Sequence, residues 1–268
     1  MDSKATCQRP GSSGIHVIPV IDLYRGVVVH GVAGKRETYQ PLQSSWAADA
    51  RPESVLRGME RQFAPRQIYV ADLDAIVAQQ PDELVWRQLA QAETPLLLDA
   101  GITDIGGACE RLAMARQCGL DDVHWVVGLE SLAMSGRGEL SSLLDLWGVD
   151  RSIFSLDLQA GRLLTHPEAN WPGRVEDVVA RVIEAGFRRL VVLDLLHVGS
   201  ERGLGVLELC RELRACYPEL ELISGGGVRN RDDLQQLAAA GCQGALVATA
   251  LHQGTLTAAE MWMPSGEA

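Results

Sequence analysis

Five aspartates occupy the same place in a repeated pattern, because each follows directly after a short aliphatic run of strand length. They are Asp22, Asp72, Asp99, Asp157 and Asp194. If these runs are the strands of a parallel barrel, their carboxyl ends form one rim, and the active sites of such barrels lie on that rim. Carboxylates grouped there could supply both a general acid and a general base.

Asp22 and Asp157 are the strongest catalytic candidates, because they occupy equivalent positions in the two halves of the chain. The first and fifth strands of an eight-stranded barrel lie opposite one another, so these carboxylates are expected to act on two ends of one substrate. Asp194 is a third catalytic candidate. Asp72, Asp99 and Asp194 could instead cap a following helix or pair with an arginine. A metal site is less favoured, because hard cations prefer clustered oxygens; we expect neither a metal nor a cofactor.

A glycine triplet after the seventh predicted strand has the composition of a phosphate-binding loop. Glycines let backbone amides turn toward an anion, and the loops after strands 7 and 8 are the recurrent phosphate site of these barrels. A plain tight turn is the alternative. The residues expected to bind phosphate here are Gly225, Gly226, Gly227 and Arg229, with Ala248 and Thr249 after the eighth strand.

The equivalent loop in the first half, residues 99–103, keeps Gly101 but has gained Asp99. A phosphate near that carboxylate would be repelled, so we predict one strong phosphate site and a weak or absent second one, with Gly101 as its candidate contact. Lys35, in the loop 33–40, could close over the ligand as a cationic lid; a solvated loop is the alternative.

The elements that must position these residues alternate between strand-like and helix-like patterns. Eight aliphatic runs, beginning at residues 15, 67, 95, 123, 152, 189, 220 and 244, are separated by amphipathic stretches, which is the spacing of βαβ units. Four motifs recur in the same order about half a chain apart, which indicates duplication. The sequence therefore predicts an α/β protein: a (β/α)₈ TIM barrel of two fused (βα)₄ half-barrels over residues 15–258, with tails at 1–14 and 259–268.

Composition narrows the function classes. The formal net charge of −11 disfavours nucleic acid and anionic membranes as partners, since both require basic patches. The six cysteines lack metal-finger spacing, and no apolar run approaches a membrane span. We expect a cytoplasmic protein that binds a phosphorylated sugar-type small molecule, and the sequence does not indicate an oligomeric state.

Several motifs resemble the HisA/HisF family of histidine biosynthesis over roughly residues 15–258. They are Ile18-Pro19-Val20-Ile21-Asp22-Leu23, Ala71-Asp72-Leu73-Asp74, Ser155-Leu156-Asp157, Ser224-Gly225-Gly226-Gly227 and Ala250-Leu251-His252-Gln253-Gly254. The resemblance implies a ribulose-phosphate-binding type of barrel and catalysis by two aspartates, which fall on Asp22 and Asp157. It also implies an aldose–ketose isomerase (an intramolecular oxidoreductase) that performs an Amadori-type rearrangement of a phosphoribosyl compound.

Departures from the family pattern leave three functions open. Leu193 and Val198 stand where the family has a threonine and a second aspartate at the end of the sixth strand, and the first-half phosphate loop has lost its glycine pattern. The chain is more similar to a divergent HisA-like group often found beside tetrahydromethanopterin pathway genes. It could be an isomerase of a singly phosphorylated ribosyl compound, the histidine-pathway isomerase itself, or a non-catalytic phosphosugar-binding protein, for instance one related to tetrahydromethanopterin.

Overall fold

The computed structural model describes residues 14–31, 39–198 and 203–264. Its strands are β1 (Gly14–Tyr24), β2 (Val27–His30), β3 (Gln40–Pro41), β4 (Ile68–Asp72), β5 (Leu96–Asp99), β6 (Val123–Gly128), β7 (Ser152–Gln159), β8 (Arg162–Leu163), β9 (Arg189–Asp194), β10 (Glu221–Gly225), β11 (Gly244–Val247) and β12 (Trp262–Pro264). Its helices are α1 (Pro52–Phe63), α2 (Leu73–Ala78), α3 (Glu83–Leu89), α4 (Ile105–Cys118), α5 (Arg137–Trp147), α6 (Val175–Ala185), α7 (Leu207–Cys216), α8 (Arg231–Ala239) and α9 (Thr249–His252).

Eight parallel strands form a closed barrel. The order around it is β1, β4, β5, β6, β7, β9, β10 and β11, and β11 pairs with β1 to close the sheet. Helices connect successive strands on the outside, so the predicted (β/α)₈ TIM barrel is confirmed. Strands covered on both faces must be apolar throughout, which explains why nearly every residue of β4, β5, β9 and β11 is buried.

The barrel interior is filled by side chains from all eight strands. Its buried cluster includes Ile18, Tyr69, Leu97, Val126, Ile153, Val191, Ile223 and Leu246. A larger cluster lies between the strands and the surrounding helices. The interior is therefore a packed floor, and the space for a ligand in the barrel lies above it, at the carboxyl ends of the strands.

The two halves repeat each other in backbone detail. The first strand of each half continues into an antiparallel hairpin, β1–β2 and β7–β8. The turns, Arg25–Gly26 and Ala160–Gly161, have positive φ at both residues, as two-residue hairpin turns require. Asp104 and Asn230 cap α4 and α8 with nearly identical backbone angles. These matches support the predicted fusion of two half-barrels.

The chain ends of the barrel extend slightly beyond the predicted limits. Gly14, which was assigned to the N-terminal tail, begins β1. Part of the predicted C-terminal tail, Trp262–Pro264, forms β12 and pairs antiparallel with β1. Three residues containing a proline carry too weak a pattern to predict a strand.

Candidate functional site

A cavity of about 560 Å³ opens above the barrel floor, at the carboxyl ends of the strands. Asp99, Glu130 and Asp157 line it from the ends of β5, β6 and β7, Asp22 lines it from β1, and the loops after β10 and β11 line it across from β5 and β6. The residues used below that line it are Asp22, Gly31, Tyr69, Asp99, Glu130, Asp157, Leu193, Gly226, Gly227, Val228, Arg229, Ala248, Thr249 and Ala250. This volume is sufficient for a small phosphorylated metabolite.

Asp22 and Asp157 line this cavity from opposite sides. Asp22 lies near the end of β1 and Asp157 near the end of β7, and three strands separate β1 from β7 in either direction around the sheet. Gly31 lies close above Asp22, because a β-carbon at Gly31 would collide with the Asp22 carboxylate. The opposed arrangement expected from the sequence is therefore present.

Asp157 is almost fully buried, and its carboxylate is held at both oxygens. The Ser155 hydroxyl donates to Oδ1 at 2.7 Å, and the Glu130 backbone N–H donates to Oδ2 at 3.2 Å. Burial nevertheless raises the pKa of Asp157 to about 8, with further increases from the nearby Glu130 and Asp99 carboxylates. Asp157 is thus suited to hold a proton at neutral pH.

Asp99 lies beside Asp157 and forms part of the same wall. A β-carbon on Gly128 would lie 3.2 Å from Oδ2 of Asp157 and 3.5 Å from Oδ2 of Asp99, so both carboxylates approach this glycine. Burial raises the pKa of Asp99 to about 7. The Tyr69 hydroxyl donates to Asp99 Oδ2 at 3.4 Å.

Sequence reasoning missed Tyr69 and Glu130 as residues of the site. Burial and the carboxylates of Asp99, Asp157 and Asp22 raise the pKa of Tyr69 well above its usual value, so Tyr69 stays neutral. The alternation of inward and outward residues along β4 could have indicated that Tyr69 points into the barrel. Glu130 follows β6 by two residues, and that rim position was its only signal.

Asp194 does not line the cavity, so the structure gives no support to its prediction as a catalytic residue. Its Oδ1 accepts hydrogen bonds from the backbone N–H groups of Ala160 and Leu196, both at 3.0 Å, and its Oδ2 accepts one from Gly161 at 2.8 Å. Asp194 therefore holds the β7–β8 turn against the end of β9, and we do not carry it into the proposed mechanism.

Asp72 also has a structural role, as the capping alternative proposed. Its Oδ1 accepts from the Ala75 N–H at 3.0 Å at the start of α2, and its Oδ2 accepts from the Trp86 indole N–H at 2.8 Å. The same strand-end position thus serves different purposes in different strands.

The glycine loop after β10 presents backbone to the cavity. Gly226, Gly227 and Val228 line it, and their N–H groups donate to no acceptor within the described part of the chain. Ala248 and Thr249 line the cavity nearby. Gly225 does not line the cavity. It lies in β10, where a β-carbon would meet the backbone of Leu246, so packing requires a glycine at this position.

Arg229 lines the cavity beside these amides, but its charge is paired. Its Nε lies 2.9 Å from Asp233 Oδ2, and its Nη2 lies 3.0 Å from Oδ1. Asp233 also accepts the Arg229 backbone N–H at 2.9 Å. This bidentate pair fixes the loop, so the loop amides, more than the guanidinium, are the available anion donors.

Of the two remaining candidates, one does not line the cavity and the other lies outside the described residues. Gly101 does not line the cavity, and its N–H donates to Asp99 Oδ1 at 3.1 Å; the structure therefore gives no support to its prediction as a phosphate contact. Lys35 lies outside the described residues. Among the described residues, no group of three or more His, Cys, Asp or Glu side chains is placed to hold a metal ion, and no helix is long and apolar enough to span a membrane.

The fold and the site together define a (β/α)₈ barrel with a ligand cavity at the carboxyl ends of its strands. Comparison with known families agrees: the model of the family described as "Histidine biosynthesis protein" matches residues 16–257. The chain belongs to this family, as the sequence motifs predicted.

Relatives cover nearly the whole chain at low identity. One from Deinococcus radiodurans is 29% identical over 90% of this chain and 94% of its own length, and one from Rubrobacter xylanophilus is 30% identical over 93% and 96%. Both are named as isomerases of an imidazole-4-carboxamide bearing a 5-phosphoribosyl and a 5-phosphoribosylamino group. An uncharacterized protein of Methanocaldococcus jannaschii is 26% identical over 91% and 96%.

Proposed function

We propose that this protein is an isomerase that converts an aminoaldose to an aminoketose on a phosphoribosyl compound, an Amadori-type rearrangement. The observation that carries the proposal is that Asp22 and Asp157 line opposite walls of one cavity whose third side is formed by backbone amides after β10 and β11. The names of the relatives support the same reaction class.

Each aspartate has a role that its surroundings favour. Asp157, protonated at neutral pH because burial raises its pKa to about 8, gives its proton to the furanose ring oxygen as the C1–O bond breaks. Asp22, on the opposite wall, removes the proton from C2 of the resulting iminium. The enolamine then accepts a proton at C1 and becomes the ketose, so the reaction is an internal redox change that needs no cofactor.

Phosphate anchoring would hold the sugar between the two carboxyls. The N–H groups of Gly226, Gly227 and Val228 are available to an anion, and a net charge of −11 makes local backbone donors more important. Binding energy from the phosphate would position C2 and the ring oxygen.

The test is an assay of purified protein with N-(5-phosphoribosyl)amines in D₂O. We expect an aminoketose carrying deuterium at C1. Asp22→Asn and Asp157→Asn should each reduce the rate about 10²- to 10⁴-fold. Asp145→Asn, on the exposed side of α5, is the matched control and should retain full activity. Equal activity of the two active-site variants and the control would refute the two-aspartate mechanism.

A non-catalytic phosphosugar-binding protein is the second candidate, and one observation favours it. Leu193, at the end of β9, lines the cavity with an aliphatic side chain, where the family resemblance implies a threonine hydroxyl. In that case the same N-(5-phosphoribosyl)amines would bind but would acquire no deuterium.

The narrower possibility, the histidine-pathway isomerase itself, has its own test. Expression of the chain in a histidine auxotroph lacking that isomerase would restore growth only if the chain accepts the relatives' substrate. Rescue that depends on Asp22 and Asp157 would assign the protein to that step.

A further inference from the structure

The two halves of the barrel have related loops at the strand ends, and these loops differ in the backbone amides that they present to the cavity. In the second half, the N–H groups of Gly226, Gly227 and Val228 have no acceptor among the described residues. Thr249 and Ala250 begin α9, where the first amides of a helix lack intrahelical acceptors. These five residues all line the cavity.

In the first half, three of the five corresponding amides are already used by the protein's own acceptors, and Ala100 and Ile102, which carry the other two, are fully buried and do not line the cavity. The Gly101 N–H donates to Asp99 Oδ1 at 3.1 Å. The Glu130 N–H donates to Asp157 Oδ2 at 3.2 Å, and the Leu129 N–H donates to the Ser155 carbonyl at 2.9 Å. An anion could reach the Gly101 and Glu130 amides only by displacing the side chains of Asp99 and Asp157.

We propose that the cavity holds one phosphate subsite only, at residues 226–228 and 249–250, and that its other end recognises a hydrogen-bond-donating group that carries no phosphate. This inference rests on the proposed function and names its substrate class: a singly phosphorylated ribosyl compound whose far end is a hydroxyl or an amine. Asp99 is the residue that determines this specificity.

The charged groups beside the first-half loops support the conclusion that no phosphate binds there. Asp99 and Asp157 are 8% and 7% exposed, and no basic side chain of the described residues pairs with either of them. The buried guanidinium of Arg111 donates to the Ala100 carbonyl at 3.3 Å and to Gln79 Oε1 at 3.0 Å, and it does not line the cavity. A phosphate here would meet Asp99, whose pKa of about 7 leaves it partly ionised at neutral pH, with no compensating cation among the described residues.

The same oxygens are well suited to hydrogen-bond donors. Tyr69 is the only hydroxyl that donates to Asp99 within the described residues, at a long 3.4 Å. Asp99 therefore retains accepting capacity toward the cavity. This distinguishes the chain from relatives whose named substrate bears two phosphoribosyl-type groups.

Calorimetric titration of the full chain tests the inference with three probes: inorganic phosphate, ribulose 5-phosphate and ribulose 1,5-bisphosphate. We expect one inorganic phosphate per chain, and at least about tenfold tighter binding of the monophosphate than of the bisphosphate. Asp99→Gly copies the glycine that stands at the equivalent position, Gly225, and frees the Gly101 amide. This variant should abolish the preference for the monophosphate.

Asp99→Asn is the companion variant in case Asp99→Gly fails to fold, because it keeps the side-chain shape and removes the charge. Asp99→Asn should reduce the ratio of affinities for ribulose 5-phosphate and ribulose 1,5-bisphosphate severalfold. Two inorganic phosphates bound to the wild-type chain, or equal affinity for the two sugar phosphates, would overturn the single-subsite inference while leaving the proposed isomerase intact. No phosphate bound at all would overturn both.

Discussion

The carboxylates of Asp99 and Asp157 converge on Gly128, at the end of β6. A β-carbon on Gly128 would lie 3.2 Å from Asp157 Oδ2 and 3.5 Å from Asp99 Oδ2. The glycine at the end of β6 thus leaves room for two buried acids side by side, whereas a β-carbon there would crowd Asp157. Because the Asp99 carboxylate contributes to the raised pKa of Asp157, this contact is central to the chemistry proposed for the cavity.

Gly128→Ala should reduce kcat/KM about 10- to 100-fold, because the new methyl group must push Asp157 away from its position. The deuterium-incorporation assay measures this loss. Gly138→Ala is the matched control, since a β-carbon at Gly138 meets nothing within 4 Å. Unchanged kcat/KM in the Gly128 variant, with the fold intact by circular dichroism, would show that the position of Asp157 is not critical.

The activity should fall as the pH rises through about 8. Asp157 acts as an acid and must be protonated, and burial raises its pKa to about 8; above that value the proton is lost and the ring cannot be opened by this group. The pH profile of kcat/KM measures the effect. Asp99→Asn should move this alkaline limb to lower pH, because the Asp99 carboxylate contributes to the raised pKa of Asp157. An alkaline limb that stays in place in Asp99→Asn would contradict the coupling.

The fold could be predicted from the sequence because a parallel barrel needs strands that are apolar on both faces. Each of the eight aliphatic runs became a barrel strand within a few residues of its expected limits, and the opposed positions of Asp22 and Asp157 followed from strand order alone. The antiparallel β12 escaped prediction because Trp262–Pro264 is too short to show an alternating pattern.

The individual roles of the strand-end aspartates could not be predicted, because they depend on which amide lies within reach. Asp72 caps α2, Asp194 binds the turn after β7, and Asp99 binds the amide of Gly101 two residues ahead. All three follow similar aliphatic runs, so sequence position alone does not distinguish them. The sequence allowed the prediction that Asp99 would repel a second phosphate. It did not show that the Asp99 carboxylate would accept a hydrogen bond from the Gly101 amide.

Gly227→Ala should weaken the binding of inorganic phosphate at least about tenfold. Gly227 has φ +83, and a β-carbon there would collide with the carbonyl oxygen of Gly203, so the loop must move and its amides lose their common direction. Calorimetric titration measures the affinity. Gly119→Ala, with φ +77 and nothing within 4 Å of its β-carbon, reproduces the backbone strain far from the loop and should leave the affinity unchanged. If both variants lost affinity for phosphate equally, the loss would be due to general destabilisation and not to the loop amides.

Asp194→Ala should lower the free energy of unfolding by about 2–3 kcal/mol, because three backbone N–H groups lose a charged acceptor in a buried site. Asp194→Asn should lose less, since one amide oxygen can still accept from Ala160 and Leu196 while the amide nitrogen faces the Gly161 N–H. Urea denaturation measures both changes. If the role is structural, kcat per folded molecule stays within a fewfold of wild type in the asparagine variant at a temperature where it is fully folded. A loss of kcat as large as that of Asp157→Asn, without loss of stability, would instead return Asp194 to the catalytic group.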